Sequence, residues 1–228
     1  MGAFVLCWLS KLRKFEGIAY NSLADTNFII QETISSNLSP NEYNSNVFEI
    51  RITTDDLLTS ISLIESCNVM WTFDSTSKGF EGLEFITHQK TGKNYLLASC
   101  EANKCTIQSR FEQAVANLEN ERLVVLEKHE TTQNNSCQWV LVGTINLPSN
   151  LKFLDYSAVS TYSQKSSTYI AITSQENSQV WIGIVEEIDQ CPFFHITSTE
   201  KTDVHNLPRT IVNGNICQIE YCNIEGVS

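Results

Sequence analysis

The sequence predicts an all-β protein made of β-propeller blades, each with four antiparallel strands. Three observations lead to this fold: a Glu-Gly motif that recurs along the chain, apolar strands in the same order after each copy, and polar turns between those strands. About three blades fit into the 228 residues, whereas typical propellers have about four to eight. The predicted propeller is therefore incomplete, either as a fragment of a longer protein or as a partner for closure by another chain.

The recurring motif sets the length of the repeat. Its copies lie roughly 65 to 76 residues apart, an interval that suits one structural unit per copy. The copies are Phe15-Glu16-Gly17-Ile18, Phe80-Glu81-Gly82-Leu83, the decayed Tyr156-Ser157-Ala158-Val159, and Ile224-Glu225-Gly226-Val227. They divide a single domain, 1–228, into blade units at approximately 15–78, 79–153 and 154–222, with the start of a further blade at 223–228.

Four strands are predicted in each unit. The motif opens the first strand, and the glycine of Lys90-Thr91-Gly92-Lys93 is typical of the tight hairpin that follows it. The second strands are dense in apolar residues, as burial on both faces requires, at 28–30, 95–98 and 169–172. Third strands that alternate in polarity follow at 47–52, 123–127 and 180–184, and fourth strands at 69–73, 139–142 and 193–196.

Three segments depart from this pattern. A capping box at Ser109-Arg110-Phe111-Glu112 predicts a short helix over about 110–120, inserted into the second unit. The segment 55–66 fits a helix or a strand, and both alternatives stay open. The apolar run 3–9 is too short to span a membrane and its positive charges follow it, so it predicts an outer strand rather than an export signal.

Charge and cysteine content narrow the function classes. The formal net charge is −11, with 26 acidic against 15 basic residues, which argues against a nucleic-acid partner because phosphate binding needs a clustered basic face. No membrane partner is expected either. With no visible signal, the eight cysteines are predicted to be reduced thiols in a cytosolic core, unless the natural protein has a further N-terminal export segment. A zinc site from Cys100, Cys105, Cys217 and Cys222 is the weaker alternative, because no partner pattern supports it.

The motifs also resemble a known group of proteins. The chain resembles the six-bladed propellers described as phytase-like or esterase-like in three segments: residues 15–20, the apolar strand that ends near Glu32, and Val47-Phe48-Glu49-Ile50. More loosely, they resemble the gluconolactonase and regucalcin propellers. That resemblance implies that the first-strand glutamate is a metal ligand. Ser157 departs from this pattern, because it replaces the glutamate in the third copy.

Hairpin geometry predicts where the glutamates meet. The start of a first strand lies opposite the end of the second, so Glu16 should neighbour Glu32, and Glu81 should neighbour Glu101. Because the innermost strands surround the propeller axis, a cluster is expected at one mouth, comprising Glu16, Glu32, Glu81, Glu101, Glu176 and Glu225. No cofactor is certain, but oxygen ligands favour Ca²⁺ or Mg²⁺ over zinc. The alternative is structural: each glutamate accepts backbone N–H bonds from the next blade, as repetition in every blade suggests.

Two functions follow from these predictions. The first is a ligand- or protein-binding module, in which loops at one mouth recognise a small molecule or a protein and the open blades favour self-association or closure by another chain. The alternative is a divalent-metal-dependent hydrolase of phosphoesters or lactones, with Glu16, Glu81 and Glu225 among its ligands. Gly17, Gly82 and Gly226 are interpreted as permitting close approach between blades. The four histidines are interpreted as surface or satisfied core residues.

Overall fold

The structure is a computed structural model that describes residues 15–35, 43–55, 58–73, 79–100, 121–130, 137–148, 151–164, 167–190, 193–197, 203–207, 209–212 and 215–219. Fifteen strands occupy these residues, and no helix does, so none there is long and apolar enough to cross a membrane. The predicted all-β fold class is confirmed. The segment 55–66, which fitted either structure, enters a strand at Thr59, whereas the predicted helix at 110–120 and outer strand at 3–9 lie outside the described residues.

The strands form three consecutive blades. Blade 1 contains β1 (Phe15–Asn21), β2 (Thr26–Ser35), β3 (Tyr43–Thr54) and β4 (Thr59–Phe73). Blade 2 contains β5 (Phe80–Thr87), β6 (Asn94–Cys100), β7 (Glu121–Glu130) and β8 (Cys137–Asn146). Blade 3 contains β9 (Ala158–Gln164), β10 (Ser167–Ser174), β11 (Gln179–Glu187), β12 (Phe194–Thr197) and β13 (Asp203–Asn206). A separate hairpin joins β14 (Arg209–Val212) to β15 (Asn215–Ile219).

Two features of the topology differ from four simple strands per blade. The outermost strands β4 and β8 pair in parallel over 68–70 and 138–140, which joins blades 1 and 2 into one eight-stranded sheet. In blade 3 the fourth strand is split, because β12 pairs with one half of β11 and β13 with the other half. The parallel direction of β4 and β8 is the direction that equivalent strands of successive blades take around a propeller axis.

Each pair of neighbouring blades encloses its own hydrophobic core. Blade 2 contributes side chains to both cores, because successive residues of a strand point to opposite faces of its sheet. Leu96 and Ala98 of β6 pack towards blade 1, while Tyr95 and Leu97 of the same strand pack towards blade 3. All four are fully buried. The continuous apolar run 95–98 therefore follows from the middle position of blade 2 in the stack.

The hairpin between β5 and β6 needs its glycine for the backbone conformation. Gly92 has φ +69°, and a Cβ there would meet no atom within 4 Å, so the requirement comes from the left-handed conformation rather than from crowding. The His88 N–H donates to the Lys93 carbonyl over 2.8 Å, which closes the turn. The turn that the sequence predicts at this glycine is confirmed.

Candidate functional site

The two Glu-Gly motifs within the described residues lie at the same irregularity in two blades. Strand β1 has a β-bulge between Phe15 and Gly17, and β5 has one between Phe80 and Gly82. Glu16 and Glu81 are therefore the extra residues of equivalent bulges, and both are half-buried. Because a bulge redirects a side chain, the repeat places both carboxylates at the same end of their blades.

The glycines of the motif are the points where successive blades touch. A Cβ on Gly17 would lie 2.7 Å from the backbone nitrogen of Leu83, and a Cβ on Gly82 would lie 2.8 Å from that of Val159. Leu83 and Val159 hold the same position in the second and third copies. The interpretation of these glycines as close blade contacts is thus confirmed for Gly17 and Gly82, while Gly226 lies outside the described residues.

Glu32 lies at the junction of blades 1 and 2. It is only 1% exposed, and its carbonyl accepts a hydrogen bond from the Ser45 hydroxyl. Gly79, directly before β5, is so close that a Cβ there would lie 2.8 Å from Cγ of Glu32. Neither Glu32 nor the bulge residues Glu16 and Glu81 are free of interaction partners. These positions are consistent with the structural role that the sequence also allows.

In blade 3, the Asp155 carboxylate stabilises the turn between β10 and β11. Its carboxylate is 8% exposed and accepts hydrogen bonds from the hydroxyls of Ser157, over 2.7 Å, and Ser174. It also accepts the N–H groups of Gln175 and Glu176, each over 3.0 Å, which closes the turn between β10 and β11. Sequence reasoning missed Asp155, although an acidic residue directly before the decayed motif, two positions before Ser157, was a usable signal.

Of the remaining predicted metal ligands, Glu176 is exposed, unlike the buried Glu32, and the others lie outside the described residues. Glu176 is an exposed turn residue, and register places it one position beyond the equivalent of Glu32, because Thr173 pairs with Ala158 as Ile30 pairs with Gly17. Glu101 and Glu225 lie outside the described residues. A Ca²⁺ or Mg²⁺ site at this mouth therefore stays a prediction.

Within the described ranges, one group of three ligand-type side chains has its ligand atoms within 4.8 Å of one another: Glu65, Cys67 and Cys137. Cys67 and Cys137, however, form a disulfide between the outer strands of blades 1 and 2. A disulfide has no thiolate to offer a metal, so a single carboxylate remains as a ligand. The group is a covalent fastening of two blades and not a metal centre.

The prediction of reduced thiols is wrong for the three cysteines whose side chains the structure describes. Cys67 and Cys137 are joined to each other, and Cys100 is disulfide-bonded as well. The apolar surroundings suggested buried thiols, but pairing of sulfurs far apart in sequence depends on which strands become neighbours. The zinc site that included Cys100 is also wrong in this oxidised form, because that sulfur is already bonded.

Blades 2 and 3 share a buried carboxylate. Oε1 of Glu84, on β5, accepts hydrogen bonds from the backbone N–H of Thr161 over 2.9 Å and from its hydroxyl over 2.6 Å. Burial raises the pKa of Glu84 above its ordinary value, although the two hydrogen bonds from Thr161 partly lower it. Since the carboxylate links two innermost strands, it contributes to the contact between the two blades.

A charged cleft of about 360 Å³ separates the hairpin ends of blades 1 and 2. Lys128 lies between two carboxylates there, in contact with Glu65 and 3.5 Å from Glu49. Burial alone lowers the pKa of Lys128, but the hydrogen bonds and charges of Glu65 and Glu49 outweigh it, so that pKa is raised. Lys128 of β7 thus links blade 2 to Glu49 and Glu65 on β3 and β4 of blade 1, and these ion pairs contribute to the contact between the two blades.

His88 fastens the hairpin of blade 2 to blade 3. The ring is fully buried, lies 3.3 Å from the Ile188 carbonyl through Nε2, and accepts the Thr91 N–H through Nδ1. The Glu187 carboxylate accepts the N–H of Gln89 over 2.7 Å and so caps the same hairpin. His88 is thus a satisfied core residue, as interpreted from the sequence, and His129, His195 and His205 have surface-accessible side chains.

The outer face of blade 1 exposes positions that are buried in the other blades. Ile18 is 60% exposed, whereas its equivalents Leu83 and Val159 are 2% and 3% exposed because the preceding blade covers them. Tyr20, on the same face, is 55% exposed. Further large apolar side chains accompany them on β3 and β4, namely Ile52, Leu63 and Met70. We call this surface the leading face.

The outer face of blade 3 shows the opposite case. Tyr162 is 65% exposed, whereas its equivalents Ile86 in blade 2 and Asn21 in blade 1 are 8% and 7% exposed because the following blade covers them. Tyr169 lies directly opposite Tyr162 on β10 and is 37% exposed. Ile182 continues the surface on β11. We call this surface the trailing face.

Comparisons with known proteins identify no family. No protein-family model matches the chain, and no curated protein matches it. Among solved structures it is similar to an exo-beta-1,3-galactanase from Phanerochaete chrysosporium with bound beta-1,3-galactotriose, at 14% identity over 85% of this chain and a TM-score of 0.44. It is also similar to a Hadza microbial sialidase, at 10% identity over 80% of this chain and a TM-score of 0.35. The chain spans 39% and 36% of the length of these two proteins.

Proposed function

We propose that this propeller-type chain is a protein-binding module that acts through the leading face of blade 1. The observation that carries the proposal is the exposure of Ile18 at a position that the repeat otherwise buries between blades, with Tyr20 exposed beside it. Several exposed apolar side chains on one face of a sheet are a usual sign of a protein contact. Such apolar side chains suit packing against another β-sheet.

The energetic reason is the apolar area left in water. Removing apolar surface from water contributes about 25 cal/mol per Å². Fully burying a side chain such as isoleucine contributes about 1.5–3 kcal/mol relative to exposure. Ile18 and Tyr20 together with Ile52, Leu63 and Met70 therefore represent several kcal/mol that a partner sheet would gain. Leu83 and Val159, the equivalents of Ile18 in blades 2 and 3, already gain it within the chain.

The carboxylates at the predicted mouth support a structural role instead. Asp155 accepts hydrogen bonds from Ser157 and from three groups of the turn between β10 and β11, and Glu32 is enclosed between Ser45 and Gly79. Asp155 thus stabilises a turn within blade 3 and Glu32 the junction of blades 1 and 2, and a ligand would have to replace those contacts. This favours the leading face over the mouth as the binding surface.

The disulfides bear on the compartment in which the module works. Cys67–Cys137 and the bond at Cys100 are of the kind that persists in oxidising compartments and is rare in the cytosol. We infer that the chain acts outside the cytosol. Separation of the blades by a cytosolic reductant would weaken the module, because the disulfide joins β4 of blade 1 to β8 of blade 2.

Site-specific photo-crosslinking tests the binding function. A photo-crosslinking amino acid at Ile18 is expected to give a discrete protein adduct in cells that express the chain, and Tyr20→Glu should abolish it. The matched control is the same amino acid at Leu154, which is 66% exposed but lies on neither face. Equal yields from positions 18 and 154, or an adduct that survives Tyr20→Glu, would overturn the proposal.

One observation favours the metal-dependent hydrolase as a second candidate. Glu16 and Glu81 occupy equivalent bulges at one end of the blades, and such carboxylates are suitable Ca²⁺ or Mg²⁺ ligands. A bound divalent ion would polarise a phosphoester or lactone oxygen and lower the pKa of a bound water. Metal titration against thermal unfolding tests this candidate.

A further inference from the structure

We propose that the occupant of the leading face is the trailing face of a second copy of this chain. This inference rests on the proposed function and names its partner. Two copies would associate head to tail through two identical contacts, so that the six described blades of the pair form one closed ring. A ring of six lies within the range of about four to eight blades found in typical propellers.

The first support is that the two exposed faces are the two complementary halves of the internal contact. At both internal junctions, the trailing face of one blade packs on the leading face of the next. Ala19 on the trailing face of blade 1 meets Leu83 and Leu96 of blade 2 in one core, and Ile86 of blade 2 meets Val159 in the other. The trailing face of blade 3 and the leading face of blade 1 are the same two kinds of surface, and no described blade packs on the exposed residues of either.

The second support is the chemistry of the two free surfaces. The trailing face contributes Tyr162, Tyr169 and Ile182, and the leading face contributes Ile18 and Tyr20. Aromatic and large aliphatic side chains of this kind make up both internal cores. Pairs of aromatic rings at such a contact stabilise it beyond the gain from their buried area. A contact between two different faces is called heterologous. Assembly through such a contact ends at two copies when the rotation that relates them closes a ring.

Light scattering coupled to size-exclusion chromatography tests the proposal on the oxidised, purified chain. The expected mass is twice the 25.7 kDa of the chain. Ile18→Glu on the leading face and Tyr162→Glu on the trailing face should each give a monomer, with dissociation constants raised at least about tenfold by a charge buried without a partner. Leu154→Glu, outside both faces, should leave the dimer unchanged, and melting curves establish that each variant is folded.

Mixing the two face variants gives the decisive result. Ile18→Glu retains an intact trailing face and Tyr162→Glu retains an intact leading face, so a one-to-one mixture restores one good contact and should form a mixed dimer. If the dimer instead joined two leading faces, Tyr162→Glu alone would remain a dimer, and mixing it with Ile18→Glu would form no additional dimer. That outcome, a wild-type monomer, or growth into longer assemblies would overturn the proposal.

The two proposals fail in different ways. If the wild-type chain is a monomer while position 18 still forms a specific adduct with another protein, the second copy is wrong and the binding module stands. If position 18 forms no specific adduct and the chain is a monomer, both are wrong. If the adduct has the mass of two chains, both are supported by independent methods.

Discussion

The substitution Gly82→Ala tests the contact between blades most directly. Alanine in place of glycine usually stabilises a protein by about 0.4–1 kcal/mol where the backbone and the space allow it. At Gly82 the new Cβ would lie 2.8 Å from both the Ala158 Cα and the Val159 nitrogen, and 2.5 Å from the Ser99 hydroxyl oxygen. Two of these three atoms belong to the backbone of another blade, so the strain is relieved only by separating blades 2 and 3.

Overpacking of a well-packed interior costs about 1–3 kcal/mol. Because the Cβ of Gly82→Ala meets backbone, we expect the upper half of that range. For a chain of this size, 1 kcal/mol corresponds to a shift in Tm of about 2–4 °C, so the variant should melt roughly 4–12 °C below the wild type. Gly17→Ala should cost a similar amount, because its Cβ would meet Leu83 in the equivalent way.

Denaturant and thermal unfolding of a small set of variants measure this effect. The matched control is Gly92, where the cost comes from φ +69° and the space is open. Asparagine tolerates that backbone conformation, so Gly92→Asn should cost less than Gly92→Ala, while Gly82→Asn should cost at least as much as Gly82→Ala. Removing the hydroxyl with Ser99→Ala should recover less than half of the loss in Gly82→Ala. Stabilities of Gly17→Ala and Gly82→Ala within about 0.5 kcal/mol of the wild type would refute the reasoning.

Three further predictions concern the disulfide, the buried carboxylate and the metal. Replacing both Cys67 and Cys137 by alanine should lower the free energy of unfolding by up to about 4 kcal/mol, because the bond closes a loop with a sequence separation of 70 residues; denaturant unfolding measures it, and an unchanged midpoint would contradict it. Because the pKa of Glu84 is raised in the folded state, ionisation of this carboxyl lowers the free energy of unfolding. The loss is absent below the ordinary pKa of 4.5 and develops as the pH rises through the folded pKa. The free energy of unfolding of Glu84→Gln should therefore increase relative to that of the wild type between pH 4 and pH 7, and that of Thr161→Val should decrease. If the difference between Glu84→Gln and the wild type does not depend on pH, the carboxylate is not desolvated. Calcium or magnesium at millimolar concentration should raise Tm if the mouth binds metal, and Glu81→Gln should abolish the shift; no shift in the wild type would remove the hydrolase as stated.

The sequence alone was sufficient for the all-β fold class. The Glu-Gly motif with its glycine identified where one blade meets the next, because a position that needs close backbone approach accepts little else. The alternation along 47–52 and the apolar run 95–98 indicated which strands had one face or both faces buried. These signals are local, and the structure confirms the all-β fold that they predict.

Some features of the site were beyond local patterns. The replacement of Glu by Ser157 looked like decay of the motif, but Asp155 supplies the carboxylate from two positions earlier, which depends on the path of the chain before β9. Cys67 and Cys137 form a disulfide because β4 and β8 become parallel neighbours, and no sequence spacing indicates that pairing.

The sequence by itself determined that this protein is all-β, since hydrophobic periodicity and turn residues act within a few positions. Only the tertiary structure decided which apolar faces find a partner. Ile18, Leu83 and Val159 look alike in sequence, yet Leu83 and Val159 are buried and Ile18 is exposed. The physical reason is that burial depends on the neighbouring blade, and blade 1 has no preceding blade within the described chain.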